Sequence, residues 1–385
     1  MSWKEKIIKD GVTFFKNAYG NIAIIYGHDC DSIASACIIF KLSKKLSLKP
    51  KLFLSKYNFE VDLNTLKKVK KYDNVVIVDI GDTPEDTINK FSESRNVLII
   101  DHHLPKKYKT FYVNPRLLKK RVYMPASYVC WHIYKKFFDD REVLWIAGFG
   151  TLGDFGAKEN KDLFLKIKKI DKNLINNLDV EDKILIDKSL LGKITKMVDS
   201  CRIFGGFDGI KYVSNLICSS ESYDKLLKDK KINGFYKKLE KEIKKEISNI
   251  SKNSIFIDKF LVYELKSKYN IKSSLASLLP RIYKDKIIFI AQKNREGFYE
   301  VSIRRGIKVK TNLSELVEKI CKNTSGKGGG HPTAAGMRID KLEELIEWLK
   351  KRKEKATWLK LYLLLKRLLY PFLQLLFLQF QGLFS

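Results

Sequence analysis

A chain of 385 residues is long enough for two domains of ordinary size, since one core seldom grows past roughly 250–300 residues. With 45% apolar and 31% charged residues it can fill packed cores, which excludes a wholly disordered chain, a collagen-like fibre and a disulfide-stapled miniprotein. Lys and Arg number 74 against 44 Asp and Glu, and the resulting +30 points toward a polyanion: nucleic acid, polyphosphate or an anionic membrane surface.

The chain starts with charged residues and no apolar run behind them, so no secretory signal is expected. Six scattered cysteines without a CxxC pair predict reduced thiols and a cytoplasmic protein. Strands are predicted over Asn21–Tyr26, Lys51–Ser55, Asn74–Asp79 and Asn96–Asp101, all short apolar runs of the kind covered on both faces. Helical patterns over Ser32–Ser47 and Asp62–Lys71 alternate with them. That alternation predicts an α/β fold with a mainly parallel sheet, whose ligands bind beyond the carboxyl ends of the strands. Residues 155–200 read as amphipathic helix. Tyr223–Lys252 reads as a charged connecting helix broken near Gly234. A smaller α/β segment follows, with strands over Ser254–Leu265, Lys286–Gln292 and Gly297–Arg304 and a last helix near Lys341–Arg352.

From Leu359 the composition changes to Leu and Phe without Ile, Asp or Glu, and Leu368–Ser385 carries no charge. Three readings of this tail stay open: a membrane contact, a helix docking on the body or a partner, and a non-native translation of the gene's end. No function is built on it.

The acidic residues stand where the strands end. Asn21–Tyr26 runs into Gly27-His28-Asp29-Cys30-Asp31, the third strand ends on Asp79 with Asp82 close by, and the fourth on Asp101-His102-His103. Asp154 follows the apolar run Val143–Phe149 and is expected to join them on the same sheet edge. One such acid usually caps the next helix. Four sites gathered together repel one another unless a cation neutralises them, and carboxylates with one or two imidazoles suit Mn²⁺ or Mg²⁺. Of five histidines, His28, His102, His103 and His331 lie in these motifs or in the glycine cluster 326–336, and only His132 lies elsewhere. The cluster, with Gly328, Gly329, Gly330 and His331 and with Arg304 before it, is expected to point backbone N–H groups at a phosphate. It does not satisfy the Walker pattern.

In Asp101-His102-His103, in Gly328-Gly329-Gly330-His331 and in the order of these motifs, the sequence resembles the DHH phosphoesterase family, notably its RecJ-like and small-oligonucleotide-degrading branch. The resemblance spans roughly residues 20–340. Together with the charged linker and tail read above, it implies a DHH metal-binding catalytic domain over 1–200 and a DHH-associated substrate domain over 254–352, with a helical linker over 201–253 between them and a basic, then Leu/Phe-rich tail over 353–385. It further implies two divalent cations, Mn²⁺ before Mg²⁺, in a cleft between the domains. Asp29 and Asp79 would hold one, and Asp31, His102 and Asp154 the other, with Asp79 bridging. His103 would face the scissile phosphate, Arg304 and His331 would hold the substrate's phosphate, and Asp101 would orient its neighbours. Gly27 stands where the family usually carries His or Asp, so either His28 serves as the ligand or the first metal site is weaker.

The expected activity is an exonuclease or phosphodiesterase releasing nucleoside 5'-monophosphates from single-stranded DNA, RNA or oligonucleotides, the high charge favouring a polymeric substrate. The alternatives are a dinucleotide or cyclic-dinucleotide phosphodiesterase, and a DHH-derived scaffold binding single strands or replication and repair proteins.

Overall fold

Three runs, NIAIIY, NVVIV and NVLII, are apolar at nearly every position, and the fold explains why both faces must be. In the computed structural model, which describes residues 3–352 apart from 58, 59, 121, 177, 295 and 331, they lie at the centre of a five-stranded sheet. Its strands are β1 Asn21–Tyr26, β2 Lys49–Leu54, β3 Asn74–Val78, β4 Asn96–Ile100 and β5 Phe111–Val113. They are all parallel, in the order β2-β1-β3-β4-β5. Alternate residues of one strand serve two cores: Ile22, Ile24 and Tyr26 face one, Ala23 and Ile25 the other. The expected α/β class with a mainly parallel N-terminal sheet is what is found.

The first connection is the helix Cys30–Lys45, started by Asp29, whose carboxylate accepts the N–H of Ser32 at 2.9 Å. This helix is buried on nearly every side, because helices Ala126–Tyr134, Arg141–Gly153 and Leu190–Cys218 pack around it. Gly150 makes the closest approach possible: a Cβ there would stand 2.4 Å from Ala34 Cβ. The run Val143–Phe149, expected beside the strand ends, is thus part of a buried helix and not a strand. An apolar run of this length does not distinguish the two by periodicity.

The chain divides into two compact units, the first ending at Leu239 and the second starting at Glu240. Residues 201–239, expected to form most of a linker, instead pack into the first unit, where Cys201, Ile210, Val213, Ile217 and Ile232 are buried in its core. The helix Lys230–Asn253 runs unbroken through Gly234, correcting the expected break. The chain's sharp turn falls earlier, inside Leu190–Cys218, where Gly206 adopts φ 54°.

The second unit holds six strands: β6 Ile255–Ile257, β7 Phe260–Glu264, β8 Ile287–Lys293, β9 Tyr299–Arg305, β10 Lys327–Gly330 and β11 Ala334–Ile339. Their order is β10-β11-β9-β8-β7-β6, antiparallel except for the pair β7–β8. Helices Leu313–Cys321 and 342–352 cover one face through Leu316, Val317, Ile320, Leu345 and Leu349. Among the described residues no helix is long and apolar enough to cross a membrane. The tail 353–385 lies outside them.

Candidate metal centre

Parallel strands deliver the residues that follow them to one edge, and here that edge is acidic. Asp29 and Asp31 follow β1, Asp79 follows β3, and Asp101, His102 and His103 follow β4. Asp154 reaches the same place from the C-cap of helix Arg141–Gly153. His102 lies at the middle of the group. Its Nε2 is 3.2 Å from Asp79 Oδ1, 3.3 Å from Asp154 Oδ2 and 4.0 Å from Asp31 Oδ2.

Asp31, Asp79, Asp154 and His103 are each fixed from behind. Asp31, almost fully buried, accepts the N–H groups of Ala126 at 2.6 Å and Ser127 at 3.0 Å, and the Ser127 hydroxyl as well. These are the first N–H groups of helix Ala126–Tyr134, the end where a carboxylate is favoured. Asp79 takes a left-handed φ of 56°, a conformation aspartate tolerates better than most residues. Its N–H donates to Ile100 O at 2.9 Å, and its Oδ2 accepts the Ser32 hydroxyl at 2.6 Å. Tyr123 donates to Asp154 Oδ2 at 3.0 Å and to its carbonyl at 2.7 Å. Asp101 accepts the His103 ring Nδ1 at 2.7 Å and its N–H at 3.1 Å, so it orients that histidine. Asn114 then ties the loop together by donating to His103 O at 3.1 Å and to Tyr112 Oη at 2.9 Å.

The electrostatics call for a cation. Burial, and then the charge of Asp154, pushes Asp31 up to about 7. Burial together with Asp29, Asp31 and Asp154 raises Asp79 well above the carboxylate range, and burial together with Asp29 raises Asp154. For His103 burial pulls downward, but the hydrogen bond and charge of Asp101 outweigh it and raise the imidazole. Among the described residues, Asp79 Oδ1 and His102 Nδ1 are buried polar atoms without a hydrogen bond. Two overlapping groups, Asp31-His102-Asp154 and Asp79-His102-His103, each hold their ligand atoms within 4.8 Å of one another. Carboxylate oxygens with imidazole nitrogens, crowded and incompletely paired, fit a hard divalent ion such as Mn²⁺ or Mg²⁺.

Not every anticipated residue falls within these groups. Asp29 is committed through Oδ1 to capping its helix and stands outside both. His28 donates Nε2 to Ser55 O at 2.8 Å and sets its ring edge-on to Phe207, 5.1 Å between centroids. Asp82 is an exposed turn residue 4.0 Å from Lys106 Nζ. Ser32, Asn114, Tyr123 and Ser127 are supporting residues that no motif announced. For Ser127 a signal existed, because Pro125-Ala126-Ser127 reads as a helix start whose N–H groups seek an acid.

In the second unit the glycines belong to a strand rather than a loop. Lys327–Gly330 is an exposed edge strand paired with β11, Gly328 opposite Met337 and Gly329 opposite Gly336. Tertiary pairing overrides the loop-forming tendency of glycine here. It also requires glycine, since a Cβ on Gly328 would meet Gly336 O at 2.4 Å, and Gly330 has φ 152°. Arg304 reaches Ala335 O at 3.4 Å, and burial alone lowers its guanidinium to about 10. His331 lies outside the described residues.

A buried constellation of aspartates and histidines at the carboxyl edge of a parallel sheet defines an α/β protein with residues that could hold a metal ion. Residues 21–142 match the DHH family, N-terminal domain, and residues 258–356 match the DHHA1 domain, together more than half of the chain. The chain belongs to the DHH family. Among solved structures it is similar to RecJ from Thermus thermophilus in complex with Mn²⁺, with a TM-score of 0.61 and 15% identity over 92% of this chain. The chain spans only about half of that protein's length, 54%. A manganese-bound exonuclease RecJ matches at TM-score 0.56 and 13% identity, over 92% of this chain and 94% of that one. The DHH domain of a protein described as a member of a ribosomal-protein family matches at TM-score 0.64 and 17% identity, over 91% and 90%. No curated protein matches the chain in sequence.

Proposed function

We propose that the chain is a divalent-cation-dependent phosphodiesterase acting as an exonuclease on single-stranded DNA, RNA or oligonucleotides and releasing nucleoside 5'-monophosphates. The observation that carries this reading is the convergence of Asp79, Asp154 and Asp31 on His102 Nε2, with the buried Asp79 Oδ1 making no hydrogen bond. Asp31, Asp79, His102 and Asp154 would hold the cations, with Asp29 contributing from the helix start. Bound divalent ions supply an activated water and neutralise charge on the phosphoryl oxygens. Residues of the chain do the rest. His103, its Nδ1 committed to Asp101 and its basicity raised, would present Nε2 to a phosphoryl oxygen as a hydrogen-bond donor. Arg304, whose guanidinium donates to Ile303 O at 3.0 Å and Ala335 O at 3.4 Å, would supply a cation for a phosphate. The manganese-bound state of two RecJ structures of this fold supports manganese as the ion, and the printed description of one of them as an exonuclease supports the reaction.

The test is product analysis with Mn²⁺ and end-labelled single-stranded DNA and RNA, alongside the Asp79→Ala variant. Mononucleotides from the wild type and none from Asp79→Ala is the expected result. Undiminished hydrolysis by Asp79→Ala would remove that residue from the site. Strand binding without cleavage by either protein would replace the enzyme with a binding scaffold.

A further inference from the structure

We infer that the first unit has a second polyanion-binding surface, a groove for single-stranded nucleic acid along the sheet edge opposite the metal centre. The floor of this edge is made by the first residues of the strands, Asn21, Lys49, Asn74, Asn96 and Phe111. Three open troughs run side by side along it. One of about 540 Å³ is flanked by Lys44, Lys49, Lys51 and Lys71, with the rings of Phe40 and Tyr72. The next, about 440 Å³, shares Lys71 and Tyr72 with it and adds Tyr19, Lys70 and Arg95. The third, about 460 Å³, shares Arg95 with the second and adds Lys109 and Phe111. Shared walls make the three one continuous path.

Seven cations therefore line a single groove, and the charge is not cancelled locally. Among the described residues none of the seven makes an ion pair, although nearby Lys41, Lys45 and Lys106 each do. The two acids of the groove are engaged with backbone: Asp73 accepts the Asn21 N–H at 3.2 Å and Asp10 the Tyr112 N–H at 3.4 Å. The floor is braced by asparagines, Asn74 Nδ2 donating to Tyr19 O at 2.6 Å and Asn96 Nδ2 to Asn74 Oδ1 at 2.9 Å. Tyr19, 73% exposed, lines the second trough beside the cations.

Lysines without ion pairs around one exposed aromatic side chain, Tyr19, on a firm floor are the chemistry that tracks a phosphate backbone and lets a base stack, Phe40, Tyr72 and Phe111 being turned largely into the cores. Five strands at about 4.8 Å spacing give an edge of roughly 20 Å. At about 3.4 Å or more per nucleotide, that length spans at most about six, the low end of the roughly 4–16 nucleotides found in single-strand binders without sequence preference. A strand of six residues separates this edge from the metal centre by about 20 Å, so the groove is a distinct site.

The experiment uses the full chain carrying Asp79→Ala, so that no strand is cut, and measures fluorescence anisotropy with labelled oligo-dT and oligo-U of about 20 nucleotides, just beyond the upper site size. A groove variant, Lys49→Glu with Lys71→Glu and Arg95→Glu, is compared with Lys237→Glu, Lys241→Glu and Lys244→Glu, which change the net charge equally on the helix Lys230–Asn253. The groove variant should bind at least about tenfold more weakly than the control, and its salt slope should fall by about 2, three lost phosphate contacts at about 0.7 each. Should the reversals unfold the protein by circular dichroism, the neutral set Lys49→Gln, Lys71→Gln and Lys109→Gln, set against Lys237→Gln, Lys241→Gln and Lys244→Gln, gives the comparison at smaller amplitude. Equal weakening of groove and control variants would overturn the inference by reducing it to net charge. Unchanged strand binding with lost binding of polyglutamate would overturn it in favour of an acidic protein partner. No arm requires catalysis, so a chain without phosphodiesterase activity still decides the question.

Discussion

Gly81 shows how little room the site leaves around its histidines. A Cβ there would lie 2.6 Å from His103 Cβ and 3.0 Å from Asp101 Oδ2, so any side chain displaces the pair that orients the imidazole. Gly81→Val should therefore lower turnover by roughly tenfold to a hundredfold, the range typical of lost support behind a metal site. Circular dichroism should remain that of the wild type, because Gly81 lies in a loop and not in the sheet. Tyr123→Phe is a finer change, deleting only the hydroxyl that donates to Asp154. It should weaken Mn²⁺ binding, read by titration calorimetry, about tenfold or more while leaving the fold intact. Unaltered affinity would show that the phenol does not position Asp154. His132 belongs to a different chemistry. Burial, with Lys135 and Lys4 nearby, lowers it from 6.5 to about 3, so at mildly acidic pH it stays neutral in the folded chain and is protonated in the unfolded one. The unfolded state then binds the extra proton between about pH 6.5 and 3, and stability is lost as pH falls through that window. Between about pH 7 and 5 this amounts to about 2 kcal/mol. Urea midpoints of the wild type should fall over that range more steeply than those of His132→Phe.

At the scale of elements, the helix Lys230–Asn253 makes the cleanest prediction. Gly234 is half-buried in its interior with nothing within 4 Å of the place a Cβ would take. Gly234→Ala should therefore stabilise the protein by about 0.5–1 kcal/mol, since alanine removes freedom from the unfolded chain without meeting a neighbour. A lowered urea midpoint would mean the helix uses the flexibility at that point. The same residue shows where reading from sequence stops. A glycine in a charged run suggests a break, yet Ile232 packs into the core of the first unit, and the burial of Leu239 and Ile250 further on holds the helix through it. Strand ends were legible because parallel β-strands are short, apolar and end abruptly; Asp79 and His102 could be placed from that alone. Asp154 was legible as a residue but not as the cap of a helix, since Val143–Leu152 is buried on all sides and shows no period. Ser127 and Asn114 gain their roles only when distant segments meet. The glycines 328–330 became a strand because β11 pairs with them, a partner that their own composition does not announce.

For the molecule as a whole, the metal centre joins four stretches of chain far apart in sequence: 29–31, 79, 101–103 and 154. A cation bound there should act as a cross-link of the native state and of no other. At a Mn²⁺ concentration about a hundredfold above Kd, the first unit should gain about 2.7 kcal/mol. In a calorimetric scan Mn²⁺ should raise the transition belonging to the unit up to Leu239, and chelator should reverse the rise. A scan unmoved by Mn²⁺ would leave the crowded aspartates without their expected neutralising ion. The strand β10 has a consequence of another kind. Among the described residues it ends its sheet, three of its four residues are glycine, and all four are exposed, so past Lys327 one row of backbone donors and acceptors has no side chain of its own to guard it. Such a row is a template on which a foreign strand can grow, and the protection here is entropic: glycine resists being held extended. Gly329, with open space around it, would accept valine sterically and lose that protection. Gly329→Val should thus turn the rim into a seed for sheet extension, visible as concentration-dependent self-association in light scattering, so that the residues with the least chemistry are the ones that keep this edge from growing.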